Sequence, residues 1–210
     1  MSRLKKIKEA YELPFYILKR PFDGFYRLRH DNEAKIWVAI INIILLWFSI
    51  SFMNQYASIT VATPHPLAHN SLRDGLTVII ILLLWCVSNW SVTSLTDGEG
   101  RFKDIFLANC YAMTPLILFI VPATLFTNLL ADTEAAFYFM ILTIAIIWFI
   151  FLLFVGMVVV HNYTAVRALL TVFLTFIALL IIVFLSMLLI ALLQQMLGFA
   201  FNIYTEMSFR

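Results

Sequence analysis

The chain has 210 residues, of which 63% are hydrophobic and 12% charged, with a formal net charge of +2 at pH 7. A soluble domain of this length carries about 25% charged residues, and a surface so poor in charge would aggregate in water. The composition excludes a soluble protein, and we expect an integral membrane protein that binds no nucleic acid.

The first 35 residues form a basic and aromatic segment ahead of the first long apolar stretch. In the sequence KRPFDGFYRLR, aromatic side chains alternate with lysine and arginine. This pattern is typical of the headgroup layer, where rings enter the lipid and cations meet anionic headgroups. We predict residues 1–35 to be a cytoplasmic amphipathic segment that binds anionic lipid; a docking surface for a cytoplasmic protein is the alternative. Pro14 and Pro21 predict breaks that divide it into short pieces.

Five uncharged stretches follow, and each is long enough for one transmembrane helix of about 20 residues. The short alternating segments of a membrane β-barrel are absent from the sequence. We therefore predict an all-α integral membrane protein, with a five-helix membrane domain over residues 36–193 and an aromatic tail over 194–210 at the outer interface. The predicted helices lie near residues 36–56, 75–95, 106–130, 137–160 and 169–193.

Lysine and arginine predict the orientation of these helices. Nine of them precede the first span and three lie in the two loops on the same side, whereas the opposite side holds Arg73 and Arg210. Because basic residues concentrate on the cytoplasmic side of membrane proteins, we expect a cytoplasmic N-terminus and a C-terminus outside.

One loop on the outer side contains two histidines. His65 and His69 are four residues apart, which on a helix would allow shared metal ligation. Pro64 and Pro66 disfavour a regular helix at this point, and we interpret the stretch as an ordinary loop. We predict neither a metal site nor a cofactor.

Small and weakly polar residues form stripes at helical spacing on two spans. Asn89 lies in the stripe of the second span, and Thr171 and Thr175 lie in that of the fifth. Such stripes let helices approach closely and hydrogen-bond across the gap. We interpret them as packing positions, with a substrate path as the alternative.

The third span contains residues that disturb a regular helix. Pro115 and Pro122 each remove a backbone hydrogen bond, and the sequence predicts a kink or local opening there. Asn109 and Tyr111 precede the first proline. We treat these residues as candidates for helix packing or, alternatively, for a moving hinge.

Two short polar loops lie on the predicted cytoplasmic side, within the sequences DGEGR and HNYTAVR. Glycines in the first loop are expected to supply backbone angles closed to other residues. We expect Glu99 to pair with Arg101 or Arg167. We also expect His161 to bond Asp97, so that these contacts join the two helical hairpins. The candidate cytoplasmic interaction patch comprises Asp97, Gly98, Glu99, Gly100, Arg101, His161, Tyr163 and Arg167.

The two carboxylates and the histidine of this patch could also hold a metal or perform acid–base chemistry. The carboxylates share a glycine-rich turn, however, and the sequence places no recognisable serine or cysteine nucleophile beside a base. We therefore predict that the protein is not an enzyme.

The same loops resemble those of a known family. DGEG followed by a span with YAMTP is similar to the Yip1-domain membrane proteins, and HNYTAVRALLT is similar to their second cytoplasmic loop. KRPFDGFYRLR resembles the entry segment of short bacterial members. The resemblance implies five spans, a cytoplasmic N-terminus and no catalytic residues. For eukaryotic members it implies association with Rab-type GTPases and with one another. The motif positions map onto Gly98, Glu99, Gly100, Tyr111, Pro115, His161 and Tyr163.

We therefore predict a non-enzymatic membrane scaffold or accessory subunit. Its partner would be another integral membrane protein, such as a transporter or secretion component, or a second copy of the chain. The resemblance implies the cytoplasmic membrane of a bacterium, or the Golgi or endoplasmic reticulum for a eukaryotic member. The alternative is a small-solute transporter or channel, although ion-coupled carriers keep ionised side chains inside the membrane and the five predicted spans contain none.

Overall fold

The computed structural model describes most of the chain as helix. Within the described residues it contains eight α-helices and no β-strand. His65 and His69 lie outside the described residues. The described ranges are residues 3–31, 33–58, 61, 70–129 and 134–208. The helices are α1 (Arg3–Lys19), α2 (Pro21–His30), α3 (Ile36–Tyr56), α4 (Ser71–Leu95), α5 (Phe102–Ala112), α6 (Thr114–Thr127), α7 (Ala135–His161) and α8 (Ala165–Ser208).

Five helical segments are long and apolar enough to cross a membrane: α3, α4, α5 together with α6, α7, and α8. The predicted all-α fold with five spans is confirmed. Charged side chains within these segments lie near their ends, because an ionised group inside hydrocarbon is costly. The orientation of the termini stays a prediction.

The last helix is much longer than the sequence analysis predicts. The predicted end near residue 193 is wrong, because α8 continues without a break through Ser208 and has 44 residues. At a rise of about 1.5 Å per residue, a helix of that length extends about 66 Å, roughly twice the hydrocarbon thickness of a bilayer. The position of residues 194–210 at the outer interface stays a prediction.

The N-terminal segment is part of the packed bundle. Pro14 lies inside α1 and does not end it, so the predicted break at this position is wrong. Leu13 and Ile17, on either side of it in the same helix, are buried in the core and hold this turn in place. Pro21 does separate α1 from α2, and it occupies the first turn of α2, where a missing N–H costs nothing.

The hairpin of α1 and α2 depends on close backbone approach. A Cβ on Gly24 would lie 2.6 Å from Ile17 Cγ1 and 2.9 Å from Ile17 Cα, so α2 meets α1 without room for a side chain. One residue later, the Phe25 ring is fully buried and lies against Gly156 of α7. The hairpin is thereby joined to the membrane bundle.

The third span is divided at Met113 into α5 and α6. Pro115 has no N–H to donate to the carbonyl of Tyr111, and its ring crowds that carbonyl, so the helix cannot continue regularly. The Thr114 hydroxyl donates to the Tyr111 carbonyl instead, at 2.6 Å. Pro122 lies inside α6 and does not end it.

Substitution of Gly24 by alanine is expected to lower the stability of the hairpin. Alanine favours a helix over glycine by about 1 kcal/mol, but the new methyl group would clash with the Ile17 backbone, and overpacking of this kind costs about 1–3 kcal/mol. We expect Gly24→Ala to lower the melting temperature of the purified protein in detergent.

Gly198→Ala is the matched control, because a Cβ on Gly198 of α8 would meet nothing within 4 Å. This variant should be as stable as the original protein or slightly more stable. Equal effects of the two alanines would contradict the packing of α1 on α2.

Candidate functional site

The two loops of the predicted patch follow two helices that end in the same way. Asp97 after α4 and Asn162 after α7 both adopt the left-handed conformation, with φ of 53° and 55°. The next N–H, of Gly98 or Tyr163, returns to a carbonyl five residues earlier at 2.8 and 2.9 Å. This is the Schellman arrangement, and aspartate and asparagine tolerate its left-handed position better than other residues with a side chain.

The glycines of the first loop are needed for space. None of the glycines that the structure describes has a positive φ, so the expectation that these glycines supply special backbone angles is wrong. A Cβ on Gly98 would lie 2.6 Å from Tyr163 Oη, and one on Gly100 would lie 2.7 Å from His161 Cε1. Two aromatic rings from the second loop thus rest directly on the backbone of the first.

His161 is 2% exposed and bonds to the backbone of the first loop. The Gly100 N–H donates to His161 Nδ1 at 3.3 Å, so in this arrangement the ring carries its proton on Nε2. The expected bond between His161 and Asp97 is wrong: the Asp97 carboxylate lies 3.5 Å from Arg167 and its side chain is 95% exposed. Such a pair contributes little to stability.

Tyr163 is the second buried ring of the cluster. Its hydroxyl lies 2.9 Å from Thr96 Oγ1 and 3.1 Å from the Thr96 carbonyl. The ring stacks on His161 with centroids 5.3 Å apart. The Arg167 guanidinium lies 4.9 Å from the ring centroid and donates to the same Thr96 carbonyl. Arg167 therefore joins the start of α8 to the end of α4.

Glu99 pairs with an arginine from outside the two loops. Arg29 at the end of α2 donates to Glu99 Oε2 at 2.7 Å and to the carbonyl of Val159 at 3.2 Å. The expected pairing of Glu99 with Arg101 or Arg167 is therefore wrong. The hydrogen bond from Arg29 is the main cause that lowers the pKa of the Glu99 carboxyl, and a hydrogen bond from the Asn162 side chain lowers it further.

Arg101 differs from the other charged residues of the patch, because Asp97, Glu99 and Arg167 each form an ion pair. Its side chain is exposed, it precedes α5, and it forms no ion pair among the described residues. The two buried rings of the patch lie against half-buried backbone of the first loop, and we call this group the motif cluster. Its members are Thr96, Gly98, Gly100, His161 and Tyr163, with Arg29 and Arg167 at its edges.

The candidate packing residues lie deeper in the bundle. Tyr111 is fully buried, and its hydroxyl accepts from the Lys35 N–H at 3.0 Å, which ties α5 to the start of α3. Asn109 donates to the Ile105 carbonyl at 2.8 Å and to Cys86 Sγ of α4 at 3.3 Å.

The threonine stripe of α8 is buried but bonds within its own helix. Thr171 donates to the Arg167 carbonyl at 2.9 Å, and Thr175 donates to the Thr171 carbonyl at 2.8 Å. The expected hydrogen bonds across the helix gap are therefore not made by these two hydroxyls. The two threonines instead form a narrow face of α8, and α8 contacts α4 through this face.

Within the described part of the chain, no three histidine, cysteine or acidic side chains come together in a way that could hold a metal ion. In the motif cluster, the histidine faces a backbone amide and a tyrosine ring. The site therefore has the contacts of a structural junction between helices.

The fold and the motif cluster define a multi-pass, all-α membrane protein. The family model of the Yip1 domain matches residues 15–187, which is more than half of the chain and includes both loops. The chain belongs to the Yip1-domain family. It matches no curated protein and no solved structure.

Acidification is expected to remove the contribution of the Arg29–Glu99 pair to the stability of the folded protein. Because the pKa of Glu99 is lowered in the folded protein, the pair stabilises the fold above the ordinary glutamate pKa and loses this effect as the pH falls through the folded value. We expect Glu99→Gln to melt at a lower temperature than the original protein near pH 7, and the difference to shrink and vanish as the pH falls through the lowered pKa of Glu99.

Asp97→Asn is the control for that series, since asparagine also tolerates the left-handed conformation and the Asp97 side chain is almost fully exposed. Its melting temperature should stay close to that of the original protein at every pH. If the melting temperatures of Glu99→Gln and the original protein differ by the same amount at low pH as at pH 7, the pairing of Glu99 with Arg29 is contradicted.

Gly100→Ala is expected to disturb the motif cluster, because the methyl group would overlap the His161 ring. Overpacking predicts a loss of about 1–3 kcal/mol in the free energy of unfolding. If the clash with the ring is the cause, the cost of Gly100→Ala should shrink in a His161→Ala background. Additive losses in a double-mutant cycle, measured by chemical unfolding, would contradict the contact.

Proposed function

We propose that the protein is a non-enzymatic membrane scaffold or accessory subunit that binds another integral membrane protein through the far part of α8. The single observation that carries this proposal is the exposure of that helix. Of its 44 residues, Ala168, Thr171 and Thr175 are the ones buried in the chain's own bundle. All three lie in its first three turns, so most of α8 is available to a partner.

The length of α8 supports a protein partner in addition to lipid. About 20 residues cross the hydrocarbon layer, and roughly as many would remain beyond it unless the helix is strongly tilted. These residues include large apolar side chains such as Leu197 and Phe199, which are 71% and 68% exposed. Apolar surface of this size is favourably covered by a partner. The family match ends at residue 187, so this part of α8 extends beyond the Yip1 domain.

A polar stripe on the same part of α8 supports close helix packing. At about 100° per residue, its members fall within a face of roughly 100° on the side opposite Thr171 and Thr175. The bundle therefore does not cover this stripe. Small residues let a second helix approach closely, and amide side chains bond across the gap. The stripe comprises Ala191, Gln194, Gln195, Gly198, Asn202 and Thr205.

The motif cluster supports the non-enzymatic part of the proposal. Its histidine and tyrosine are buried, and His161 Nδ1 and the Tyr163 hydroxyl bond to loop backbone. Its exposed edge, formed by Asp97, Glu99 and Arg101, would offer a partner a small charged surface on the predicted cytoplasmic side.

The N-terminal hairpin is proposed to contact anionic lipid headgroups. Phe15, Phe22 and Tyr26 are 44%, 57% and 53% exposed. Lys19 and Arg20 lie beside them in sequence and are also exposed. Exposed rings next to cations suit the headgroup layer. We propose the cytoplasmic membrane of a bacterium as its location, because KRPFDGFYRLR resembles the entry segment of bacterial family members; the Golgi or endoplasmic reticulum is the alternative.

Gly198→Leu tests the proposed surface. A Cβ on Gly198 meets nothing within 4 Å, so a larger side chain should leave the isolated chain folded while blocking close approach of a partner helix. Ala200→Leu is the matched control, because Ala200 is also exposed and lies on the opposite face of α8. Each variant would be purified from native membranes in mild detergent and its co-purifying proteins identified.

We expect the original protein and Ala200→Leu to retain one stoichiometric membrane-protein partner, and Gly198→Leu to lose it. The absence of any partner, or equal retention by both variants, would contradict the proposed surface. Solute uptake by liposomes that contain the purified chain alone would contradict the scaffold function and favour the alternative, a transporter or channel.

A further inference from the structure

A narrow cavity lies between α4, α5 and α7, behind the motif cluster. Its volume is about 20 Å³. A space of this size holds one or two water molecules and excludes a phosphate or lipid headgroup. The polar residues that line it are Asn89, Asn109 and His161, together with Met157.

Asn89 has a polar atom in this region without a hydrogen-bond partner. The residue is 3% exposed, and its Nδ2 lies 3.3 Å from the Met157 sulfur, which is a weak acceptor. Its Oδ1 has no partner among the described residues. Exchanging the positions of the amide oxygen and nitrogen would place Oδ1 against the Met157 sulfur and leave the N–H groups of Nδ2 without an acceptor. Neither orientation satisfies the amide, and a buried polar group of this kind calls for a partner from outside the chain.

His161 supplies the complementary donor. Since its Nδ1 accepts the Gly100 N–H, its proton resides on Nε2. The Nδ1–Cε1 edge of the ring faces the glycine loop, and the ring also lines the cavity. A water that accepts from His161 Nε2 and donates to Asn89 Oδ1 would give both of these atoms a hydrogen-bond partner.

We propose that this cavity is a water-binding site in which one or two ordered waters bridge His161 of α7 to Asn89 of α4. The site extends the hydrogen bonds of the motif cluster into the membrane interior and holds α4 against α7 below the loops. It is independent of the scaffold function proposed above, since it concerns the interior of the bundle.

The first test is thermal unfolding of Asn89→Leu, which replaces the amide with an apolar group of similar size. In a dry cavity this change removes an unsatisfied polar atom and leaves the melting temperature equal or higher. If water bridges the two side chains, the change removes the acceptor Asn89 Oδ1 and leaves the water and His161 without their full hydrogen bonds. We then expect the melting temperature to fall by about 2–4 °C.

Ser88→Ala is the matched control, because Ser88 Oγ is also buried without a partner and does not line the cavity. We expect this variant to keep the original melting temperature or to raise it. A rise or no change for Asn89→Leu, as for the control, would overturn the proposal.

The second test detects water directly by X-ray hydroxyl-radical labelling of the unmodified protein. Met157 lines the cavity and is 5% exposed, whereas Met113 is 7% exposed and lies away from it. Bound water next to Met157 should make its oxidation several-fold faster than that of Met113. Equal or slower oxidation of Met157 would mean that the cavity is dry and would overturn the proposal even if Asn89→Leu failed to fold.

Discussion

The close contact of two aromatic rings with a glycine backbone is the constraint on which one end of this molecule depends. His161 and Tyr163 rest on Gly98 and Gly100 at distances that leave no room for a Cβ. The contact fixes the end of α7 against the end of α4. Because Arg29 and Arg167 bond to the same two helix ends, α2 and α8 are held at this junction as well. Four helices are thus positioned by a few short loop contacts.

The chemistry of these helix ends explains why arginines occur there. The last carbonyls of a helix have no partner within it and carry partial negative charge. At the ends of α4 and α7, the carbonyls of Thr96 and Val159 accept from arginine side chains, and others accept from the N–H groups of the following loop. Because the chain itself supplies hydrogen-bond partners for these carbonyls, fewer carbonyls face the lipid headgroups. The loops can therefore be short.

The sequence was sufficient to predict the spans, the family and the break in the third span, because uncharged length, loop motifs and proline each act locally. The partner of Glu99 was not predictable, since Arg29 is 70 residues away and comes close only through the packing of α2. The end of α8 was not predicted either, because Gln194, Gln195 and Gly198 are typical of the end of a membrane span, whereas they lie inside one continuous helix. The role of the glycines was misjudged, since a close approach and a special backbone angle both select glycine.

The attachment of α8 to the bundle is confined to the first half of this helix: half-buried side chains continue as far as Val183, and beyond it the helix is almost fully exposed. From Val183 the helix continues for 25 residues to Ser208, a reach of about 38 Å. A tilt of about 10° at the attachment moves the free end by about 7 Å over that reach. A partner bound to this half of α8, as proposed above, could therefore lie at different distances from the bundle after small sliding at the α4 contact, with no rearrangement of the core.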